Sequence, residues 1–353
     1  MQQPVPRLSR GERAPDFILP SLDGTPTRFY AKAGGTPTVL LFSDANQIDT
    51  ILCLSEELKN RPSIKMSILA ILENNLPPAQ SVTAKNKIDF PVFLDTQGTI
   101  KTAYRLVDDE KNIIFLLDAN LRVLTSILLE DIQLAVKRLI SLYTESWSHV
   151  EPLEIKTQAP ALLLPNVLDP ELCLHLIDVW ETEGNVATGV ELSQENRRQE
   201  VIISDSKSRR DHVVTDQKLL RLLSSSIGRR VMPELQRAFA FQATRFEGFK
   251  IVCYDAATSG FFSAHRDNLS PSTAHRRFAL SLNLNQDYEG GYLRFPEFGP
   301  NLYQPEVGEA IVFSCSHLHE VTEMKNGRRF ALLSFLFSEA DSQSRSKSKN
   351  NPV

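Results

Sequence analysis

The tripeptide His265-Arg266-Asp267, together with His319 far downstream, is the feature that most constrains how this chain can fold. Two imidazoles and one carboxylate can hold a mononuclear non-haem iron(II) ion on one face and leave its opposite face open. Residues two apart on a strand project to the same side, so we expect His265 and Asp267 to lie on one strand. Several further strands must then run out and return to bring His319 beside the pair.

The choice of the third histidine stays open when only the residues are considered. His317 and His319 are two residues apart, so on a strand both would face the same side. His275 stands beside two arginines at the start of a predicted strand, where we expect a histidine at the surface. The metal prediction therefore depends on one of two closely spaced imidazoles.

The stretch from Phe249 to Phe337 resembles the prolyl 4-hydroxylase-like branch of the iron(II)/2-oxoglutarate-dependent dioxygenases. Five blocks carry the resemblance in order: VCYDAATSGFFSAHRDN, RRFALSLNLN, EGGYLRF, PEVGEAIVF and HEVTEMKNGRRFALLSF. The resemblance implies an α+β domain built on a double-stranded β-helix, also called a jelly roll or cupin-like fold. It also implies that His265, Asp267 and His319 bind the metal, because the family register selects His319 over His317.

A basic residue after the distal histidine, usually preceded by a glycine, binds the far carboxylate of 2-oxoglutarate in that family. Arg329 follows Gly327 and takes this position, with Arg328 as the adjacent alternative. A guanidinium suits the role because it pairs with a carboxylate through two hydrogen bonds and stays charged. Alternation after Arg329 predicts a strand, so the two arginines should face opposite ways. Tyr254 matches the tyrosine that donates its hydroxyl to the same carboxylate in relatives.

The resemblance implies an enzyme that hydroxylates a C–H bond while 2-oxoglutarate is converted to succinate and carbon dioxide. Fe(II) is the implied cofactor, 2-oxoglutarate and dioxygen are the implied co-substrates, and ascorbate (vitamin C) is a further implied cofactor. Asp267 favours hydroxylation, since related halogenases carry a small residue there. The prime substrate would be a prolyl or peptidyl group of a protein or peptide, or an amino-acid-like small molecule. The alternative is a non-catalytic interaction protein whose N-terminal domain recruits partners.

Length and composition set the frame for this prediction. A chain of 353 residues is too long for one compact core and predicts two domains. A net charge of −4 indicates no nucleic-acid partner. Apolar runs are too short for a membrane span and the N-terminus lacks a signal core, so we expect a cytoplasmic protein that does not bind membranes. The four cysteines are scattered, which argues against a disulfide framework and a zinc site.

The first 145 residues have the pattern of an α/β domain. Apolar strands are predicted at 38–42, 64–72, 91–94 and 113–118, with a helix after Asp131. Strands that alternate with helices indicate an α/β sandwich. The segments GERAPDFILPSLDGTPTRF, PVFLDTQGTIKTAYRL and IIFLLDANLRVL resemble peroxiredoxins, which have a thioredoxin-like fold.

The resemblance to peroxiredoxins does not extend to their catalytic residues. The loop and helix after the first core strand carry Ser43 to Ile51 where the family has a proline, a threonine and a reactive cysteine. The nearest thiol, Cys53, lies between Leu52 and Leu54, and apolar neighbours would raise its pKa. We therefore predict a catalytically silent domain. The alternative is a bifunctional enzyme with residual thiol peroxidase activity at Cys53.

These patterns predict two further helices and divide the chain into four segments. Two helices are expected in the second half, Glu171 to Glu181 after an Asp-Pro start and another over Asp216 to Phe241. We predict a thioredoxin-like domain over 1–145, a linker over 146–160, a dioxygenase domain over 161–338 whose entry strand covers 161–168, and a disordered tail over 339–353.

Overall fold

The computed structural model describes residues 7–61, 63–75, 87–107, 112–146, 154–194, 197–201 and 206–341. The chain divides into two compact units, Met1–Pro152 and Leu153–Val353. The boundary falls within the segment predicted as a linker, of which residues 147–153 lie outside the described residues. The exact domain limits given above stay predictions.

The N-terminal unit is an α/β sandwich built on a mixed five-stranded sheet. Its elements are β1 (Ile18–Pro20), β2 (Pro26–Arg28), β3 (Thr38–Ser43), α1 (Ile48–Lys59), β4 (Ser67–Leu72), β5 (Val92–Leu94), α2 (Thr99–Ala103), β6 (Ile113–Leu117), β7 (Val123–Leu128) and α3 (Ile132–Ser146). The order in the sheet is β5-β4-β3-β6-β7, in which β3, β4 and β5 are parallel and β6 and β7 are antiparallel to their neighbours. This architecture confirms the thioredoxin-like prediction.

Both faces of this sheet are covered, which explains why its central strands are apolar throughout. All six residues of β3 are buried, as expected for a strand that is packed on both sides. One face packs against α1 and α3, and on the other face the strand residues Phe93 and Phe115 pack with Phe29 and Tyr104 from outside the sheet. The predicted strand over 64–72 begins later, at Ser67, because the Ile64 N–H closes a turn onto the carbonyl of Arg61.

The C-terminal unit is a double-stranded β-helix flanked by helices, as the sequence predicted. Its elements are β8 (Ala161–Leu164), α4 (Pro170–Thr182), β9 (Val186–Ala187), β10 (Val190–Gln194), β11 (Arg197–Val201), β12 (Lys207–Ser208), β13 (Arg210–Val213), α5 (Gln217–Phe239), β14 (Arg245–Phe246), β15 (Lys250–Asp255), β16 (Phe261–His265), β17 (Phe278–Asn283), β18 (Tyr288–Gly290), β19 (Leu293–Arg294), β20 (Leu302–Tyr303), β21 (Ala310–Ser314), β22 (His319–Val321) and β23 (Met324–Phe337).

Two sheets form the core of this unit. The major sheet runs β8-β21-β17-β23-β15-β13-β9, and the minor sheet runs β12-β16-β22-β19-β20. Side chains from both sheets meet in one apolar cluster, with Val252 and Phe313 from the major sheet and Leu293 and Val321 from the minor sheet. The outer face of the major sheet packs on α4 and α5. The candidate site residues described below line one cavity in this unit.

The two helices begin where the sequence predicted. Asp216 caps α5 by accepting a hydrogen bond from the Leu219 N–H at 2.7 Å. The helix ends at Phe239, two residues early, because Ala240 adopts a left-handed conformation. The entry strand is also shorter than predicted and ends at Leu164, since the backbone turns so that the N–H groups of residues 167 and 168 donate to the carbonyl of Gly308.

The start of the predicted disordered tail is ordered. Residues 339–341 are described, and Asp341 accepts hydrogen bonds from Arg277 and Ser338. This ion pair holds the chain against the end of β23, and the prediction is wrong for these three residues. Residues 342–353 lie outside the described part of the chain. Among the described residues, no helix combines the length and apolar character needed to cross a membrane.

Candidate active site

The minor sheet brings two histidines side by side. His265 ends β16, His319 begins β22, and the two are register partners in this antiparallel pair. Asp267 lies two residues beyond the end of β16, and its N–H donates to the carbonyl of Cys315 at 3.0 Å. The expectation that His265 and Asp267 share a strand is therefore wrong, because the strand stops at the histidine and a turn carries the carboxylate.

The three side chains converge on one point. His265 Nε2 lies 3.5 Å from Asp267 Oδ1, and His319 Nε2 lies 3.4 Å from Asp267 Oδ2. Each imidazole places its other nitrogen against a backbone carbonyl, His265 Nδ1 at 2.7 Å from Ser263 O and His319 Nδ1 at 3.0 Å from His317 O. These carbonyls favour protons on Nδ1, which leaves the Nε2 lone pairs free to bind a metal beside the carboxylate.

Electrostatics favours the protonation states that bind a cation. Burial lowers the pKa of His319 and outweighs the attraction of Asp267, so its imidazole is neutral at pH 7. Burial opposes ionisation of Asp267, but His319, His265 and Arg276 together hold its pKa below the ordinary value of 3.8. The cluster thus offers two imidazole nitrogens and one carboxylate, the donor set that suits Fe(II).

The other candidate histidines lie outside this cluster. His317 uses its carbonyl to orient His319, while its own ring packs edge-on against Phe298 with 5.1 Å between centroids. Among the described His, Cys, Asp and Glu residues, only His265, Asp267 and His319 form a group that could hold a metal. His275 is buried, and its Nε2 lies 2.9 Å from Glu247 Oε2, so the expectation of a surface histidine is wrong.

The two neighbouring arginines face opposite ways, as alternation predicts. Arg328 is exposed and pairs with Glu181 at 2.8 Å, whereas Arg329 is only 2% exposed. Arg329 Nη1 donates to Gly291 O at 2.9 Å, and longer contacts join Nη2 to Ser281 Oγ and Nε to Asn283 Oδ1. A guanidinium has five N–H groups, so one remains on each terminal nitrogen. No described carboxylate forms an ion pair with Arg329.

A glycine lets the backbone approach this arginine. Gly291 has φ +62, and a Cβ there would clash with Met324 Sδ and come within 3.3 Å of Arg329 Cδ. Only a residue without a side chain fits such a position without strain. Tyr254 is the register partner of Arg329 on the adjacent strand β15 and is 2% exposed. The two candidate co-substrate residues are therefore direct neighbours across the sheet.

One cavity of about 780 Å³ connects these groups. Its lining includes His265, Asp267 and His319 together with Tyr254 and Arg329. A volume of this size accommodates small-molecule ligands, which commonly occupy about 300–1,000 Å³. The residues that the sequence predicted to bind the metal and those that it predicted to bind the co-substrate thus line the same cavity.

Sequence reasoning missed two ion pairs whose arginines, Arg209 and Arg276, line this cavity. Arg209 pairs with Asp211 through two hydrogen bonds of 2.6 and 2.7 Å, and both side chains are buried. Arg276 pairs with Glu247 and also donates to the backbone carbonyl of Asp267 at 3.3 Å. The spacing of Arg209 and Asp211, two apart beside a strand, was the available signal for the first pair.

The N-terminal unit places Cys53 away from apolar surroundings. Its side chain lies on the exposed face of α1, while Leu54 beside it is fully buried. Adjacent helical residues point in different directions, so the expectation of an apolar environment for this thiol is wrong. At the end of β3, Ser43 donates to Asn112 Oδ1 at 2.5 Å. The contact at this strand end is therefore a hydrogen bond between two uncharged side chains, those of Ser43 and Asn112.

Comparisons with known families agree with the two-part architecture. Residues 249–337 match the 2OG-Fe(II) oxygenase superfamily, and residues 10–126 match the AhpC/TSA family. Two curated proteins named PKHD-type hydroxylase, from Synechococcus sp. strains JA-2-3B'a(2-13) and JA-3-3Ab, are each 29% identical over 117 residues. The alignment covers 30% of this chain and 51% of each relative. Both resemblances predicted from the sequence are thereby confirmed.

Solved structures include similar chains for each unit. A prolyl hydroxylase from Trichoplax adhaerens, in complex with a hypoxia inducible factor peptide fragment, is 16% identical with a TM-score of 0.44, covering 54% of this chain and 88% of that one. A Pseudomonas putida prolyl-4-hydroxylase is 16% identical with a TM-score of 0.38, covering 51% and 94%. Peroxidoxin BcpB from Mycobacterium tuberculosis is 22% identical with a TM-score of 0.34, covering 40% and 99%.

Proposed function

We propose that this protein is an iron(II)- and 2-oxoglutarate-dependent dioxygenase that hydroxylates a C–H bond. One observation carries the proposal. A cavity joins a cluster of two imidazoles and a carboxylate to a buried arginine that has no carboxylate partner among the described residues. Burying an unpaired charge is costly, so Arg329 suits an anionic ligand. A metal-binding dicarboxylate meets both requirements.

Each residue has a definite task in this proposal. His265, Asp267 and His319 would hold Fe(II), which when bound supplies the activation of dioxygen for oxidation of a C–H bond. Arg329 binds the far carboxylate of 2-oxoglutarate with its two remaining N–H groups, and Tyr254 lies beside that carboxylate. Anchoring the far end fixes the other end of the co-substrate toward the histidines. Apolar side chains of the inter-sheet core, among them Leu293, Phe313 and Val321, also line the cavity.

The finer parts of the proposal concern products and substrate. We infer that succinate and carbon dioxide leave as products and that the prime substrate is a prolyl or peptidyl group or an amino-acid-like molecule. The name hydroxylase of the Synechococcus relatives supports the reaction class. Dependence on ascorbate, a cytoplasmic location and the absence of a nucleic-acid or membrane partner stay predictions.

Succinate formation by the purified full-length protein tests the proposal. We expect 2-oxoglutarate to be consumed only with Fe(II) and dioxygen, slowly when the prime substrate is missing. Mass spectrometry of peptides and metabolites incubated with the enzyme should reveal a gain of one oxygen atom. The non-catalytic alternative predicts no succinate and no oxygen-dependent turnover with any of these substrates, and that result would refute the proposal.

A further inference from the structure

Three side chains form a row across neighbouring strands beside the cavity. Arg329 on β23 is the register partner of Tyr254 on β15. On the other side of β15, Arg210 pairs with Cys253, which brings Arg209 next to Tyr254. The guanidinium carbons of Arg209 and Arg329 each lie 5.8 Å from the centre of the tyrosine ring. Tyr254 therefore lies between two buried cations.

The second cation is held rigidly by its ion pair. Arg209 uses Nε and Nη2 to grip both oxygens of Asp211, at 2.6 and 2.7 Å. Only 7% of the arginine side chain and 1% of the aspartate side chain are exposed. A bidentate pair of this kind fixes the plane of the guanidinium. Its remaining terminal nitrogen, Nη1, then lies 3.3 Å from the hydroxyl oxygen of Tyr254.

The direction of this hydrogen bond is fixed by chemistry. An arginine side chain can only donate, so the Tyr254 oxygen must be the acceptor. The hydroxyl keeps its single proton, and this proton has to be donated in another direction. Tyr254 and Arg329 line the same cavity. A carboxylate bound to Arg329 would be the natural acceptor for that proton.

We propose that Arg209, clamped by Asp211, is a positioning residue that directs the hydroxyl proton of Tyr254 to the far carboxylate of 2-oxoglutarate. The inference rests on the proposed function, because it assigns a further residue to the same co-substrate site. Arg209 and Asp211 cancel each other's charge, so orientation of the hydroxyl, rather than net charge, is the effect. Arg209 acts through Tyr254 and does not itself bind the co-substrate.

Calorimetric titration of the Fe(II)-loaded full-length protein without oxygen tests the inference. Two probes are compared: 2-oxoglutarate, and 2-oxobutyrate, which has the same oxo-acid end but no far carboxylate. Arg209→Gln and Tyr254→Phe should each weaken 2-oxoglutarate binding about tenfold, as expected for one hydrogen bond to a charged group. Binding of 2-oxobutyrate should not change. The matched control is Arg210→Gln, since Arg210 is exposed and bonds to Asn185.

The double variant identifies the route of the effect. If Arg209 acts through the hydroxyl, Arg209→Gln should cause no further loss in a Tyr254→Phe background. Arg209→Lys provides the same test if the glutamine variant does not fold, because a lysine keeps the charge beside Asp211 but cannot also span to the hydroxyl. A thermal melt of each variant verifies folding.

The outcomes separate this inference from the proposed function. Wild-type protein that binds no 2-oxoglutarate refutes the proposed function itself. Wild-type protein that binds it while Arg209→Gln and Arg209→Lys bind equally well refutes the role of Arg209 alone. Equal weakening of both probes, or additive losses in the double variant, would also overturn the inference, since either result means that Arg209 does not act through Tyr254.

Discussion

Replacing Arg329 by lysine tests the co-substrate site most directly. Three of the guanidinium's five N–H groups are directed at Gly291, Ser281 and Asn283, which leaves a fork of two for a carboxylate. A lysine ammonium is a point charge and cannot bind both carboxylate oxygens in this geometry. Loss of one charge-assisted hydrogen bond costs about 1.5–3 kcal/mol. The apparent KM for 2-oxoglutarate should therefore rise roughly 10- to 150-fold.

Arg328→Lys is the matched control for this experiment. Arg328 is the adjacent residue on β23 but is exposed, and its pair with Glu181 is a surface ion pair of little energetic weight. Initial rates of succinate formation, measured over a range of 2-oxoglutarate concentrations, give KM for both variants. Arg328→Lys should match the wild type. Equal effects at the two positions, or no effect at Arg329, would contradict the orientation of β23 on which the co-substrate site depends.

Three further predictions concern the metal, the buried ion pair and the N-terminal unit. Fe(II) binding measured by calorimetry should be lost in His265→Ala and in His319→Ala, but retained in His317→Ala. Loss of binding in His317→Ala with binding retained in His319→Ala would mean that the third ligand is misassigned. Asp211→Asn should destabilise the protein by about 3–5 kcal/mol at pH 7 in urea unfolding, because it breaks a buried pair. Burial opposes ionisation of Asp211, but the neighbouring guanidinium outweighs it and holds its pKa below 3.8. The stability difference should therefore be constant above the unfolded pKa and shrink as pH falls through the lower folded pKa, and a pH-independent difference would contradict the pairing. Cys53→Ser should leave any slow peroxide consumption by the full-length protein unchanged, whereas a large Cys53-dependent rate would establish a bifunctional enzyme.

Local patterns were sufficient for the outline of the site. Alternation from Arg329 onward predicted that Arg328 and Arg329 face opposite ways, because successive side chains on a strand point to opposite faces. The Asp216 cap and the apolar run of β3 likewise depend on near neighbours in sequence. Several predictions failed where a local pattern ended earlier than expected, as at Asp267, which lies on a turn instead of on the strand of His265.

The sequence by itself determined the candidate metal ligands, the two resemblances and the faces of the strands. Only the tertiary structure decided which groups meet, because contacts across strands depend on register between segments that are distant in the chain. Register pairs His265 with His319 and leaves His317 to orient its neighbour through a backbone carbonyl. Register likewise places Tyr254 between Arg209 and Arg329. Neither arginine's contact with Tyr254 has a signature in local sequence, because the residues in each contact are far apart along the chain.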